Sequence, residues 1–302
     1  MEQGAAVTAT GDDRVGRVVD LPWSSRLERI ATGFFFVEGP SWSQSESCLY
    51  FSDIGGNAMY RWTEQQGATV FRKPSNKANG TTWDQSGGFL VCEHSTSRLI
   101  RIDRDGAIQV LASHYGGREL NSPNDVVVKS NGDIYFTDPA SGRSARYGVE
   151  RPQQLDFQGV FRLCTDGRLE LLADDFILPN GLCFSPDESL LYVNDTREQH
   201  IRVFEVRDDG TLSGGSAWAE TGGAAPGVAD GMKVDSEGHV YSCGSGGIHV
   251  FRPDSTRLGV IETPEVAANF TWGGPDLTHM YITATQSLYR LQVRIPGRVP
   301  VG

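Results

Sequence analysis

One arrangement occurs six times along the chain, and a sequence with that periodicity has few folds open to it. Each time, a residue carrying a side-chain oxygen stands where a loop meets a short apolar run. Glu38 leads into Gly39-Pro40-Ser41-Trp42, Asn79 into Gly80-Thr81-Thr82-Trp83, and Asn124 into Asp125-Val126-Val127-Val128. Asn180 leads into Gly181-Leu182-Cys183-Phe184, Asp230 into Gly231-Met232-Lys233-Val234, and Asn269 into Phe270-Thr271-Trp272. The six positions lie 41, 45, 56, 50 and 39 residues apart, which is the period of a four-stranded propeller blade. After each run come a polar turn, a second strand such as Ile134-Tyr135-Phe136, and a third such as Leu288-Tyr289-Arg290-Leu291. Several of these alternate apolar and polar residues, as half-buried antiparallel strands do.

The periodicity predicts an all-β protein, a six-bladed β-propeller with four-stranded antiparallel blades. The sixth unit runs out of chain after three strands. Leu27-Glu28-Arg29-Ile30-Ala31, ahead of the first unit, is expected to supply the missing outer strand and close the ring. The expected organisation is a flexible N-terminal tail over 1–26, the propeller over 27–295 and a C-terminal tail over 296–302. A hydrophobic content of 38% and 36 glycines in 302 residues supply the core and the turns that such a ring needs.

The formal charge of −11 and the absence of a basic cluster argue against a nucleic-acid partner. No apolar run is long enough to cross a bilayer and no signal peptide is evident, so a cytoplasmic protein without a membrane partner is expected, as a monomer or small homo-oligomer. The five cysteines, odd in number and without short paired spacing, read as reduced core residues. Ser245, within Gly244-Ser245-Gly246-Gly247, reads as part of a hairpin turn and not as a nucleophile.

In a propeller the innermost strands line a central channel, so residues leading into them at one end converge on the axis. Here two carboxylates and four amides do so: Glu38, Asn79, Asn124, Asn180, Asp230 and Asn269. Asn and Asp also suit turns for reasons of their own. Six equivalent positions, one of them a Glu with no turn preference, point instead to an oxygen-lined site for a hard divalent cation such as Ca²⁺, Mg²⁺ or Mn²⁺.

Several segments together carry a family resemblance: Glu38-Gly39-Pro40, Val91-Cys92-Glu93-His94, Asn121-Ser122-Pro123-Asn124-Asp125, Tyr135-Phe136-Thr137-Asp138-Pro139, Leu178-Pro179-Asn180-Gly181-Leu182, Ala229-Asp230-Gly231 and Tyr281-Ile282-Thr283-Ala284. From about Gly33 to Val293 the chain resembles the senescence marker protein/gluconolactonase/luciferin-regenerating-enzyme family of six-bladed propellers, which includes regucalcin. The resemblance implies one divalent cation held by Glu38, Asn180 and Asp230, with Asn124 as a further ligand or a substrate contact. Ca²⁺ comes first among the candidates, with Mg²⁺, Mn²⁺ or Zn²⁺ as alternatives. Its bacterial gluconolactonase branch implies metal-dependent opening of a sugar lactone, with Asp230 taking a proton from the attacking water.

Further substrate contacts are expected from His94, Asn79 and Asn269. The widest interval carries an insert over 140–157, containing Arg143, Arg146, Tyr147 and Arg151, that reads as a lid; Tyr147 and Arg143 are its candidate substrate contacts. Ala140-Ser141-Gly142 and Trp272 depart from the family pattern and leave the sugar open. Two other readings compete: a different hydrolase or ring-opening enzyme on the same metal site, such as a phosphotriesterase or an enzyme of specialised esters, and a non-catalytic propeller used as a binding platform.

Overall fold

The computed structural model describes residues 23–298. The expected N-terminal tail up to residue 22, and residues 299–302, lie outside the described residues. Six four-stranded antiparallel sheets follow one another around a ring, as the repeat predicts. Blade 1 is formed by Val37–Ser43, Cys48–Asp53, Ala58–Thr63 and Gly67–Arg72, counted from the axis outward. Blades 2 to 5 begin with the inner strands Ala78–Trp83, Val126–Val128, Pro179–Phe184 and Met232–Val234. Blade 6 takes three strands from the end of the chain, starting with Ala267–Gly273, and its fourth from the beginning.

That fourth strand is Trp23–Thr32, which pairs with Ser287–Val293 through Leu27 opposite Leu291 and Thr32 opposite Ser287. It starts earlier than the Leu27–Ala31 stretch expected from the pattern, because Trp23 still finds a partner in Val293. At the other end Gly297 bridges to Asp235 and Arg298 donates to the Ser185 carbonyl, so part of the expected C-terminal tail lies against the ring.

Aromatic side chains fill the wedges between blades. Trp42 of blade 1 stacks on Tyr281 of blade 6 at 5.3 Å, and Tyr50 meets Trp83 and Phe89 of blade 2. Such rings bury large apolar areas in preferred geometries and hold neighbouring sheets in register. All five cysteines are buried free thiols. Among the described residues no helix is long and apolar enough to cross a membrane. Ser245 lies in the hairpin between Val240–Gly244 and Gly247–Phe251, where its hydroxyl donates to the Ala225 carbonyl.

Candidate active site at the axis

The inner strands of blades 1, 2, 4 and 6 break register at the predicted positions. The shifts fall between Glu38 and Ser41, Ala78 and Thr81, Pro179 and Leu182, and Ala267 and Asn269. A bulge frees a residue from the ladder and re-aims its side chain. In blades 3 and 5 the regular strand starts only at Val126 and Met232, which leaves Asn124 and Asp230 on the preceding loop.

Glycine follows four of the six site residues for a steric reason. A Cβ on Gly39 would stand 1.9 Å from the Asn79 carbonyl oxygen, and one on Gly181 2.4 Å from that of Asp230. Each of these four blades therefore seats the next blade's site residue on its own glycine.

A second device was open to sequence reading and missed by it. The second strands of blades 1, 3 and 4 end in Ser52-Asp53, Thr137-Asp138 and Asn194-Asp195. The aspartate pins its own blade's approach loop: Asp53 accepts the amides of Phe35 and Phe36, Asp138 those of Asn121 and Ser122 at 2.8 Å each, and Asp195 those of Ile177 and Leu178. The residue before it reaches forward. Ser52 donates to the Asn79 carbonyl at 2.9 Å, Thr137 to that of Asn180 at 2.7 Å, and Asn194 to that of Asp230.

This framework brings four of the six predicted side chains together. Asp230 and Asn269 are the polar side-chain neighbours of the Glu38 carboxyl, and Asn180 is that of Asp230. Asn180 is steadied by Thr196, whose hydroxyl lies 3.0 Å from Nδ2 and donates in turn to the Ala229 carbonyl. Glu38 is 3% exposed whereas Asp230 is only half-buried, so the site opens to solvent at Asp230.

The charges of the pair are uncompensated. Burial pushes the Glu38 carboxyl up to about 7, against a 2.7 Å bond from the Gly39 amide. Burial, followed by the Glu38 charge, pushes Asp230 well above the ordinary carboxylate range, and the other charge bearing on both is a third carboxylate, Asp125. Two carboxyls in contact without a cation share a proton; a divalent ion between them would restore both to their ionised forms. Among the described residues no three His, Cys, Asp or Glu side chains cluster as metal ligands. The set the residues offer is two carboxylates with amide oxygens, which fits a hard cation.

The remaining predicted residues are placed differently. Asn79 is one step removed: its Nδ2 lies 3.1 Å from Nε2 of His94. His94, expected as a substrate contact, is buried with its other ring nitrogen 3.0 Å from the Tyr147 carbonyl. Because that carbonyl only accepts, Nδ1 carries the proton and Nε2 takes the Asn79 amide. Burial holds the imidazole neutral, its pKa pushed down to about 4. Both nitrogens are thus committed, and His94 orients Asn79.

Asn124 is buried on its loop, with its amide bonded to the Thr137 carbonyl and its own carbonyl accepting from Gly80. Arg143 does not face the mouth. Its guanidinium is buried against the carbonyls of Leu120, Asn121 and Pro152 and the Glu119 carboxylate, tying the insert to the loop that carries Asn124. Tyr147 is half-buried, its ring 5.7 Å from Phe36 and beneath the Arg146 guanidinium. Trp272 packs edge-on against Tyr241 and beneath Gly297.

Comparison with known proteins agrees with this architecture. Residues 36–286 match the profile of the SMP-30/gluconolactonase/LRE-like region. A gluconolactonase of Zymomonas mobilis is 31% identical over 307 aligned residues, which cover 94% of this chain and 85% of the relative. The pentonolactonase XacC of Haloferax volcanii is 27% identical, with 86% of this chain and 92% of the relative covered. The solved structure of a gluconolactonase from Xanthomonas campestris superposes with a TM-score of 0.85 at 32% identity, over 96% of this chain and 95% of that one. With the profile spanning most of the ring, the chain belongs to the SMP-30/gluconolactonase/LRE-like family.

Proposed function

We propose that the protein hydrolyses sugar lactones, with one divalent cation held at the axis by Glu38, Asn180 and Asp230 and with Asn124 as a further ligand or substrate contact. The observation that carries this reading is the Glu38–Asp230 pair: a buried and a half-buried carboxyl side by side, Glu38 raised by burial and Asp230 by burial and the Glu38 charge, with amides as their other partners. A binding platform has no need of such a pair, whose burial costs stability unless a counter-charge arrives. The relatives named as lactonases support the substrate class. Ca²⁺ suits carboxylate and amide oxygens best, and Zn²⁺ least, since no His or Cys joins the set.

When bound, the ion supplies positive charge for the oxyanion that develops on the lactone carbonyl. The chain supplies the rest. Asp230, the more open carboxylate, accepts a proton from water as the water oxygen bonds to the carbonyl carbon. The ring C–O bond then breaks, and the departing ring oxygen takes that proton, leaving the open hydroxy acid. Asn269 and the Gly39 amide hold Glu38 in place, while Asn180 is fixed by Thr196. Tyr147 packs against Phe36, two residues before Glu38 in the chain.

The test is proton release by the purified protein over a panel of five- and six-membered aldonolactones, with metal analysis and with chelation. Expected are hydrolysis, its loss on chelation and its return with Ca²⁺. Turnover that persists after complete removal of divalent ions overturns the role given to the cation; no turnover of any lactone overturns the substrate class.

A further inference from the structure

A third carboxylate bears on the axial pair through its charge, and it has a partner. Asp125 follows Asn124 directly and is buried. Its Oδ1 accepts the Val126 amide at 3.0 Å, and its Oδ2 lies 3.4 Å from Nζ of Lys233, which also donates to the Met232 carbonyl at 3.2 Å. Asp125 belongs to blade 3 and Lys233 to the inner strand of blade 5. With blade 4 between them, the pair spans the channel itself. A cavity of about 130 Å³ reaches Lys233 and is lined also by Thr82, Val126, Cys183 and Trp272, which gives solvent and small ions access.

The fixed charges can be counted. Glu38, Asp230 and Asp125 contribute three negative charges once ionised and Lys233 one positive charge, while Glu188 and Arg298 on the cavity wall cancel each other, which leaves two negative. That balance suits one divalent ion. The ammonium also occupies a place defined by a carboxylate oxygen and a backbone carbonyl, both hard-cation ligands. A lysine ammonium is a compact point charge with three donors and substitutes for a small cation at such a spot.

We propose that Lys233 is a built-in counter-ion that fills a second cation position at Asp125 and so limits the channel to a single divalent ion. The inference rests on the cation reading given above. Without the ammonium the channel carries one more negative charge beside an oxygen-lined space, and a second cation enters or the first binds more tightly.

The probe is Ca²⁺ itself, measured as ions bound per chain by equilibrium dialysis with elemental analysis and by calorimetric titration after chelation. Expected are one ion for the unaltered protein and two for Lys233→Met, or one held at least about tenfold more tightly. The double variant Asp125→Asn/Lys233→Met is expected to return to one ion at close to the original affinity. A Lys233→Met protein that binds one ion with unchanged affinity overturns the proposal while leaving the axial site intact; an unaltered protein that binds none removes the axial site and this inference together. If Lys233→Met is poorly folded after chelation, thermal unfolding decides: added Ca²⁺ must raise its midpoint more than that of the unaltered chain, and an equal or smaller rise counts against the proposal.

Discussion

Two acidic centres at the same end of the ring differ in what surrounds them. Glu93, at the end of the second strand of blade 2, is wholly buried and receives bonds from Arg72, Arg98, Asn76 and Thr96. Burial works to raise its pKa, yet these partners outweigh it and hold the carboxyl below its ordinary value. Glu38 and Asp230 are held by amides and by each other, and both are raised. Burial is common to the two centres, so it does not separate structure from function; the supply of counter-charge does. One centre is complete within the chain. The other is completed from outside.

The largest effect that would break this contrast lies at Asp230. Asp230→Ala is expected to lower lactone hydrolysis by at least about a hundredfold, read by proton release, while Glu93→Ala stays within about tenfold of the unaltered rate below its unfolding temperature. Stability should respond in the opposite sense. Glu93→Ala strands two guanidinium groups and is expected to cost about 3 kcal/mol, measurable as a lower denaturant midpoint. A loss below about 1 kcal/mol would show that those arginines find other partners.

Glu38→Gln sharpens the comparison from the other side. In chelated protein it is expected to unfold at the same temperature as the parent or higher, because an uncompensated buried carboxyl is removed. The parent should gain about 2.7 kcal/mol when Ca²⁺ is present at a hundred times its dissociation constant, and the variant should gain nothing.

The smallest effect concerns a third arrangement, in which the counter-charge depends on pH. His239 Nδ1 lies 3.0 Å from Asp235, and the bond to that carboxylate raises the imidazole pKa above 6.5. The stabilisation is fully present below 6.5 and lost as pH rises through the raised value. His239→Gln should therefore flatten the stability profile above pH 6.5, by less than about 1 kcal/mol.

The blades were legible because a loop, a strand and a turn at a steady interval leave a repeating chemical mark. The convergence of Glu38, Asn180, Asp230 and Asn269 followed from that repeat alone. The partners of His94 and Arg143 are not legible in the sequence for one reason: both depend on the fold of the 140–157 insert, which has no periodicity to read. The Ser52-Asp53, Thr137-Asp138 and Asn194-Asp195 pairs were visible as letters, but Glu93, Gly244 and Ala284 end the corresponding strands of the other blades and hide the rule. Lys233 and Asp125 are 108 residues apart, and no local pattern links them.

The forward reach of Ser52, Thr137 and Asn194 has a consequence for anyone recombining this fold with its relatives. Each of these residues positions a group in the module that follows, so an exchanged module arrives with the fastening for its neighbour and without its own. Chimaeras spliced at the boundaries between modules separate each fastening from its target. Crossovers placed within a module, after its inner strand and before its second, keep donor and acceptor from the same parent.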